Sequence, residues 1–273
     1  MEIGGSTRLL AVLGDPVAHS LSPTMQNAAC RALGIDAAYV ALHVTARALP
    51  ETLQALAAAG AAGNVTIPHK EAAERSVRRK TDLCARSGAC NTFWTEAGEL
   101  VGDNTDVAGI HEALLALGVD GGGRWLVIGT GGSARAAAVA AANAKAQVLV
   151  KSRDPGRART FAEWAGSIGV RALPATPGEP ADVAVNTTPL GLHPGDPLPA
   201  HPDSLRGTRV ALDLVYASGG TAWVRALQAA GLRAADGREV LLHQGAAAFA
   251  RFFPEQRPPL EVMRAAVARA LGA

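Results

Sequence analysis

Aromatic side chains are scarce in this sequence, 4% of 273 residues, which argues against an interior built on bulky rings. Cysteine is scarcer still. Cys30, Cys84 and Cys90 are odd in number and show no CxxC spacing, so neither a disulfide framework nor a zinc site is indicated, and buried thiols are expected. The histidines include no HxxxH pair that would set two ligands on one helical face, and no metal is expected. Charge of one sign is missing as well: the formal net charge is +2, and the longest basic block is Arg78-Arg79-Lys80, read as a solvated helix end. Nothing there argues for nucleic acid. No stretch approaches the ~20 uninterrupted apolar residues of a membrane span, and the N-terminus lacks a cationic segment leading into an apolar one and a cleavage site. A cytoplasmic protein with no membrane partner is the expectation.

What the chain has is alanine, glycine and short apolar runs. The alanine-rich stretches 53–62 and 136–146 suit helices packed closely on a sheet. LLAVLG, ending at Gly14, reads as a buried strand, and a helix follows with Ser22 as cap and Pro23 at its first position. Strand, helix and strand continue at 38–44, 49–59 and 63–66, the rhythm of a parallel α/β sheet. A helix opened by Asp106 carries Val107, Ile110, Leu114 and Leu117 on one face and stops at the Gly121-Gly122-Gly123 break, which we read as the passage into a second domain. Beyond it, RWLVIG, a glycine turn, an alanine-rich helix to about Ala144 and QVLV form a nucleotide-binding unit, extended by strands at 183–186 and 210–214. Two α/β domains are expected.

The glycine turn is Gly129, Thr130, Gly131, Gly132, Ser133, Ala134 and Arg135. Between a strand and a helix, glycines let backbone N–H groups reach a pyrophosphate at the helix N-terminus. The end of the next strand reads Lys151, Ser152, Arg153, Asp154, with Arg157 beyond. Arginine at this place suits the 2′-phosphate of NADP, while an acidic residue suits the free ribose of NAD. Arg153 and Arg157 favour NADP, and Asp154 is either a turn residue before Pro155 or a sign that NAD is tolerated.

Polar residues in apolar surroundings mark the first half: Ser20, Ser22, Asn64, Thr66, Lys70, Asn91 and Asp106. Two hydroxyls at Ser20 and Ser22 can donate to a carboxylate, or form an ordinary serine turn. Lys70 follows Pro68 in a first helical turn, where the helix dipole disfavours a cation, so a role other than helix stability is indicated. Asp106 reads equally well as an N-cap.

These pieces resemble the shikimate dehydrogenase family through GDPVAHSLSP (14–23), NVTIPHK (64–70), GACNT (88–92), GDNTD (102–106), NTTPLGL (186–192), DLVY (213–216) and QGAAAF (244–249), in the family's order across almost the whole chain. The resemblance implies a substrate-binding and catalytic domain of 1–106 plus 243–273 and a Rossmann-like NADP-binding domain of 107–242, with an active-site cleft between them. It implies NADPH-dependent, reversible reduction of 3-dehydroshikimate to shikimate, within the shikimate pathway of aromatic amino acid biosynthesis. Lys70 and Asp106 would form a catalytic pair, either one carrying the proton. Ser20 and Ser22, aided by Tyr216, would hold the substrate carboxylate, and Asn64, Thr66, Asn91 and Gln244 its hydroxyls. Asn186, Thr187, Thr188, Leu214 and Gly237 would line the cofactor. Gln26 stands where the family commonly has His, Ala217–Gly220 replace a proline-bearing run, and Phe252 replaces a frequent Trp. Open alternatives are an NAD-using quinate/shikimate dehydrogenase and a non-catalytic NADP-binding regulatory protein, and assembly as a monomer or a homodimer.

Overall fold

The protein is described here by a computed structural model covering residues 3–272. The chain divides into two compact units. One runs to Gly109 and resumes from Leu241, and the other is Ile110–Val240. Both divisions fall inside helices rather than at the Gly121–Gly123 break.

The first unit is a mixed six-stranded sheet in the order β2-β1-β3-β5-β6-β4. Its strands are Arg8–Gly14 (β1), Ala37–His43 (β2), Ala62–Val65 (β3), Arg79–Lys80 (β4), Thr92–Glu96 (β5) and Glu99–Asp103 (β6). The helices between them are Ser22–Ala32 (α1), Leu49–Ala58 (α2), Lys70–Ser76 (α3) and Asp82–Ser87 (α4). β2, β1 and β3 are parallel, whereas β5 and β6 form an antiparallel hairpin, which a purely parallel reading does not contain. The hairpin closes through Ala97 (φ 52°) and Gly98 (φ 79°), two left-handed residues between the paired Glu96 and Glu99. Such two-residue turns demand φ > 0 at both central positions, which alanine adopts at a cost. Leu13, Leu49, Leu53, Val65 and Phe93 belong to the buried cluster behind this sheet.

Two local expectations are corrected. Arg79 and Lys80 do not end a helix but pair with Val101 and Gly102 of β6, because α3 stops at Ser76 and the chain turns extended at Val77. Ser22 is not a helix cap: it is itself the first residue of α1, Leu21 occupies the capping position without a side-chain bond, and Ser20 Oγ accepts the Ser22 N–H at 3.3 Å.

The second unit is a six-stranded, wholly parallel sheet of Arg124–Ile128 (β7), Gln147–Lys151 (β8), Ala172–Pro174 (β9), Val183–Asn186 (β10), Val210–Asp213 (β11) and Arg233–Ala235 (β12). Read from β9, the order is β9-β8-β7-β10-β11-β12, that is 3-2-1-4-5-6 within the unit. This is the Rossmann order, with its switch point between β7 and β10. The helix Asp106–Ala116 (α5) leads into it, Gly132–Asn143 (α6), Pro155–Ser167 (α7) and Ala222–Ala229 (α8) belong to it, and Arg238–Phe252 (α9) leads back out. Leu260–Ala270 (α10) completes the first unit and packs on α1. α6 shows how the aromatic-poor composition is used: Ala134, Ala136, Ala137, Ala138, Val139, Ala140 and Ala141 are all buried. Methyl side chains lose almost no rotamer freedom and let a helix lie close to its neighbours. Among the described residues, no helix is long and apolar enough to cross a membrane.

Candidate active site

In the first unit the polar residues of the sequence motifs converge. Lys70 opens α3, and its Nζ lies 2.5 Å from Asp106 Oδ2, both side chains being about nine-tenths buried. Asp106 is the first residue of α5, and its other oxygen, Oδ1, accepts from Asn91 Nδ2 at 2.8 Å. Both carboxylate oxygens thus have partners from distant segments, which a residue serving only as a helix cap would not need. Asn91 Nδ2 also lies 3.1 Å from Thr105 Oγ1 and 3.4 Å from Gln244 Oε1, while Asn91 Oδ1 accepts from Thr105 N at 2.7 Å and from Thr92 Oγ1 at 2.9 Å. Gln244 arrives on α9, its amide held by the Leu241 carbonyl at 2.9 Å, so the returning chain reaches the Lys70–Asp106 pair through one intermediary. Removing one member of such a pair strands a buried charge, at a cost of about 3 to 5 kcal/mol.

Asn64, at the end of β3, donates to Thr92 Oγ1 (2.9 Å) and the Asn91 carbonyl (3.1 Å), and accepts from the Tyr39 phenol at 2.7 Å. Thr66 follows it, half-buried. Ser22, at the start of α1, lies near the Tyr39 phenol. Thr92 and Thr105 lie inside the GACNT and GDNTD segments without a role assigned to them there, and Tyr39 lies outside every one of the motif segments. The one available signal is chemical: Tyr39 is one of only two tyrosines, and a phenol on a buried strand needs a polar partner. Arg251 of α9 anchors on Asp103 Oδ2 at 2.9 Å, tying the C-terminal segment to β6. Tyr216 lies in the second unit, half-buried, just past β11.

At the switch point of the second sheet, Gly129 leaves β7 with φ 121°, and a Cβ there would lie 2.4 Å from Thr187 Oγ1. Only glycine fits. Thr130 and Gly131 lead to α6, whose capping residue Gly131 makes no side-chain cap, and a Cβ on Gly131 would meet nothing within 4 Å. Gly132 and Ser133 form the first turn of α6, and Ala134 is buried behind them. At the end of β8, Asp154 is the N-cap of α7: its Oδ1 accepts from Gly156 N (2.8 Å) and Arg157 N (3.4 Å), and Ser152 Oγ accepts from Asp154 N. Arg153 and Arg157 flank this cap, both exposed. An open glycine cradle at a helix N-terminus, two guanidinium groups beyond the next strand and an acidic side chain occupied in capping fit a dinucleotide bearing a 2′-phosphate.

Asn186 ends β10, and Thr187 and Thr188 follow it. Thr187 bonds the Ile128 carbonyl through N and Oγ1, and Asn186 Oδ1 accepts from Thr188 N and Oγ1. Leu214 follows β11, and Gly237 N donates to Val215 O at 3.0 Å. Among the described residues, no three His, Cys, Asp or Glu side chains gather into a metal-binding group.

A model of the shikimate dehydrogenase substrate binding domain matches residues 12–93, and one of the shikimate 5'-dehydrogenase C-terminal domain matches residues 237–268. A shikimate dehydrogenase (NADP(+)) of Rubrobacter xylanophilus is 42% identical over 255 residues, covering 89% of this chain and 90% of that protein. The chain belongs to the shikimate dehydrogenase family. Among solved shikimate dehydrogenases, the Thermus thermophilus enzyme in complex with NADP(H) and shikimate aligns with a TM-score of 0.85 and 37% identity, over 97% of this chain and 100% of that one. The Mycobacterium tuberculosis shikimate dehydrogenase gives a TM-score of 0.82 and 30% identity, over 96% and 99%.

The DLVY motif of this shikimate dehydrogenase family member holds a buried acid. Asp213 accepts from Thr221 Oγ1 (2.7 Å), Asn186 Nδ2 (2.8 Å) and Val215 N (3.1 Å). Burial pushes its carboxyl up from 3.8 to about 6, the three donors pulling it partly back and Asp236 adding to the rise. A raised folded-state pKa means the folded protein favours the protonated form. That stabilisation is present at low pH, is lost as pH rises from about 4 to about 6, and stays lost above. Asp213→Asn keeps the shape without the charge, so its stability relative to wild type should climb across that window by on the order of 2 to 3 kcal/mol. Urea unfolding of both proteins at several pH values reads this directly, and a difference independent of pH would refute it.

Proposed function

We propose that this chain catalyses the reversible reduction of 3-dehydroshikimate to shikimate with NADPH, as a cytoplasmic enzyme of aromatic amino acid biosynthesis. The first unit would bind the substrate and the second the cofactor. The observation that carries the reading is the buried Lys70–Asp106 pair, joined through Asn91 to Gln244. The relatives' names and the Thermus thermophilus complex support the substrate and cofactor, and three free, buried cysteines suit a reducing compartment.

NADPH, which the Gly129–Ser133 turn with Arg153 and Arg157 would hold, would supply a hydride to the ketone carbon. As charge gathers on the ketone oxygen, Lys70 hydrogen-bonds to it and delivers the proton, while Asp106 holds the ammonium in place. Asn91, itself fixed by Thr105, keeps Asp106 oriented. Ser20 and Ser22, with Tyr216, are assigned to the substrate carboxylate, and Asn64, Thr66, Asn91 and Gln244 to its hydroxyls.

Purified protein should reduce NADP when given shikimate, followed by the absorbance of the reduced nicotinamide. Quinate in place of shikimate, and NAD in place of NADP, should each give lower kcat/KM. Cofactor binding without turnover would favour a regulatory protein, and faster quinate oxidation with NAD would favour the broader dehydrogenase.

A further inference from the structure

Tyr39 is only 1% exposed and stands where three segments of the first unit meet. Its backbone is gripped on both sides by Asn27 of α1, whose Nδ2 donates to Tyr39 O and whose Oδ1 accepts from Tyr39 N, each at 2.8 Å. Its side chain extends from β2 past β1 to the end of β3, where the phenol donates to Asn64 Oδ1. Ser22, at the start of α1, lies near the same phenol. Burial pushes the phenol's pKa above the ordinary tyrosine value, so it remains a neutral donor across working pH.

The polarity of Asn64 follows from its partners. A backbone carbonyl cannot donate, so the end of the amide facing Asn91 O is the nitrogen. The second amide hydrogen goes to Thr92 Oγ1, and Tyr39 fills one of the two acceptor positions on Oδ1. One lone pair remains. We infer that Tyr39 is a positioning residue for ligand recognition, holding Asn64 so that it accepts from, and cannot donate to, a ring hydroxyl of the bound hydroxy-acid. This rests on the reading of Asn64 as a substrate ligand given above.

The test uses the whole enzyme, with shikimate analogues in which each ring hydroxyl is in turn replaced by hydrogen or by fluorine. In wild type, the analogue modified at the hydroxyl facing Asn64 should lose as much with fluorine as with hydrogen, because fluorine offers no proton to an acceptor. If fluorine is tolerated at every position where hydrogen is not, the inference fails, and this needs no mutant. Tyr39→Phe should raise KM for shikimate roughly tenfold, with kcat and KM for NADP little changed. In that variant the penalty for the same analogue should shrink towards none, whereas a merely structural role would weaken every analogue alike. An unmoved KM, or a loss confined to kcat, would overturn the assignment. Absence of wild-type turnover sinks the functional reading and this inference with it, while turnover with an unaltered analogue pattern sinks the inference alone.

Discussion

Lys70→Ala is expected to lower kcat by about 10²- to 10⁴-fold while KM for shikimate moves far less, since proton transfer acts mainly in the transition state. The geometry explains why the loss falls on this side chain. Lys70 is the first residue of α3, its backbone carbonyl accepts the Cys90 N–H at 2.8 Å, and its ammonium is set against Asp106. The variant also strands a buried Asp106, so melting temperature must be recorded beside the rates. Lys70→Met fills more of the space without the proton and should be equally slow. Single-turnover kinetics separate chemistry from product release, and a lysine-free variant with near-wild-type rate in that assay would remove Lys70 from the mechanism.

NADP should be preferred over NAD in kcat/KM, and Arg153→Ala should cut that preference roughly tenfold or more, about 1.4 kcal/mol. Each charge-assisted bond to the 2′-phosphate is worth roughly 1.5 to 3 kcal/mol when well formed. Against this stands Asp154, whose Oδ1 takes the Gly156 and Arg157 N–H groups. A carboxylate at a helix N-terminus sits in the positive end of the dipole and is screened by solvent, so its repulsion of a phosphate is the smaller effect. Asp154→Ala should shift the ratio towards NADP only slightly, and cost about 1 kcal/mol of stability through the lost cap. Added salt should narrow the wild-type preference. A wild type favouring NAD at low ionic strength, or an unchanged ratio in Arg153→Ala, would show that this strand end does not read the phosphate.

The second sheet was the more legible half of the sequence. Parallel strands covered on both faces read as unbroken apolar runs, as in Trp125-Leu126-Val127-Ile128, and glycines at a strand end announce a tight turn. In the first half the β5–β6 hairpin was hidden, since its left-handed turn carries Ala97 where asparagine or glycine would have signalled it. β4 is two residues long and held by its neighbour, so local propensity says nothing of it. The Lys70–Asp106 pair joins residues 36 positions apart, a separation no periodicity encodes. Motif resemblance brought both residues forward and carried Thr92 and Thr105 along without a role, whereas Tyr39 emerged only with the coordinates.

The two crossings inside α5 and α9 make the second unit an insertion in the first. On a ribosome the order of completion is therefore inverted with respect to the order of the chain. Ile110–Val240 is contiguous and can close on itself as soon as it has emerged. The part made before it must wait: Met25 and Gln26 of α1 lie against Gly245, Arg8 bonds the Phe252 carbonyl, and Asp103 bonds Arg251, all supplied by residues made after the insertion. Until then the face of α1 that carries Met25 stands uncovered, a nascent-chain interval in which chaperone capture competes with folding.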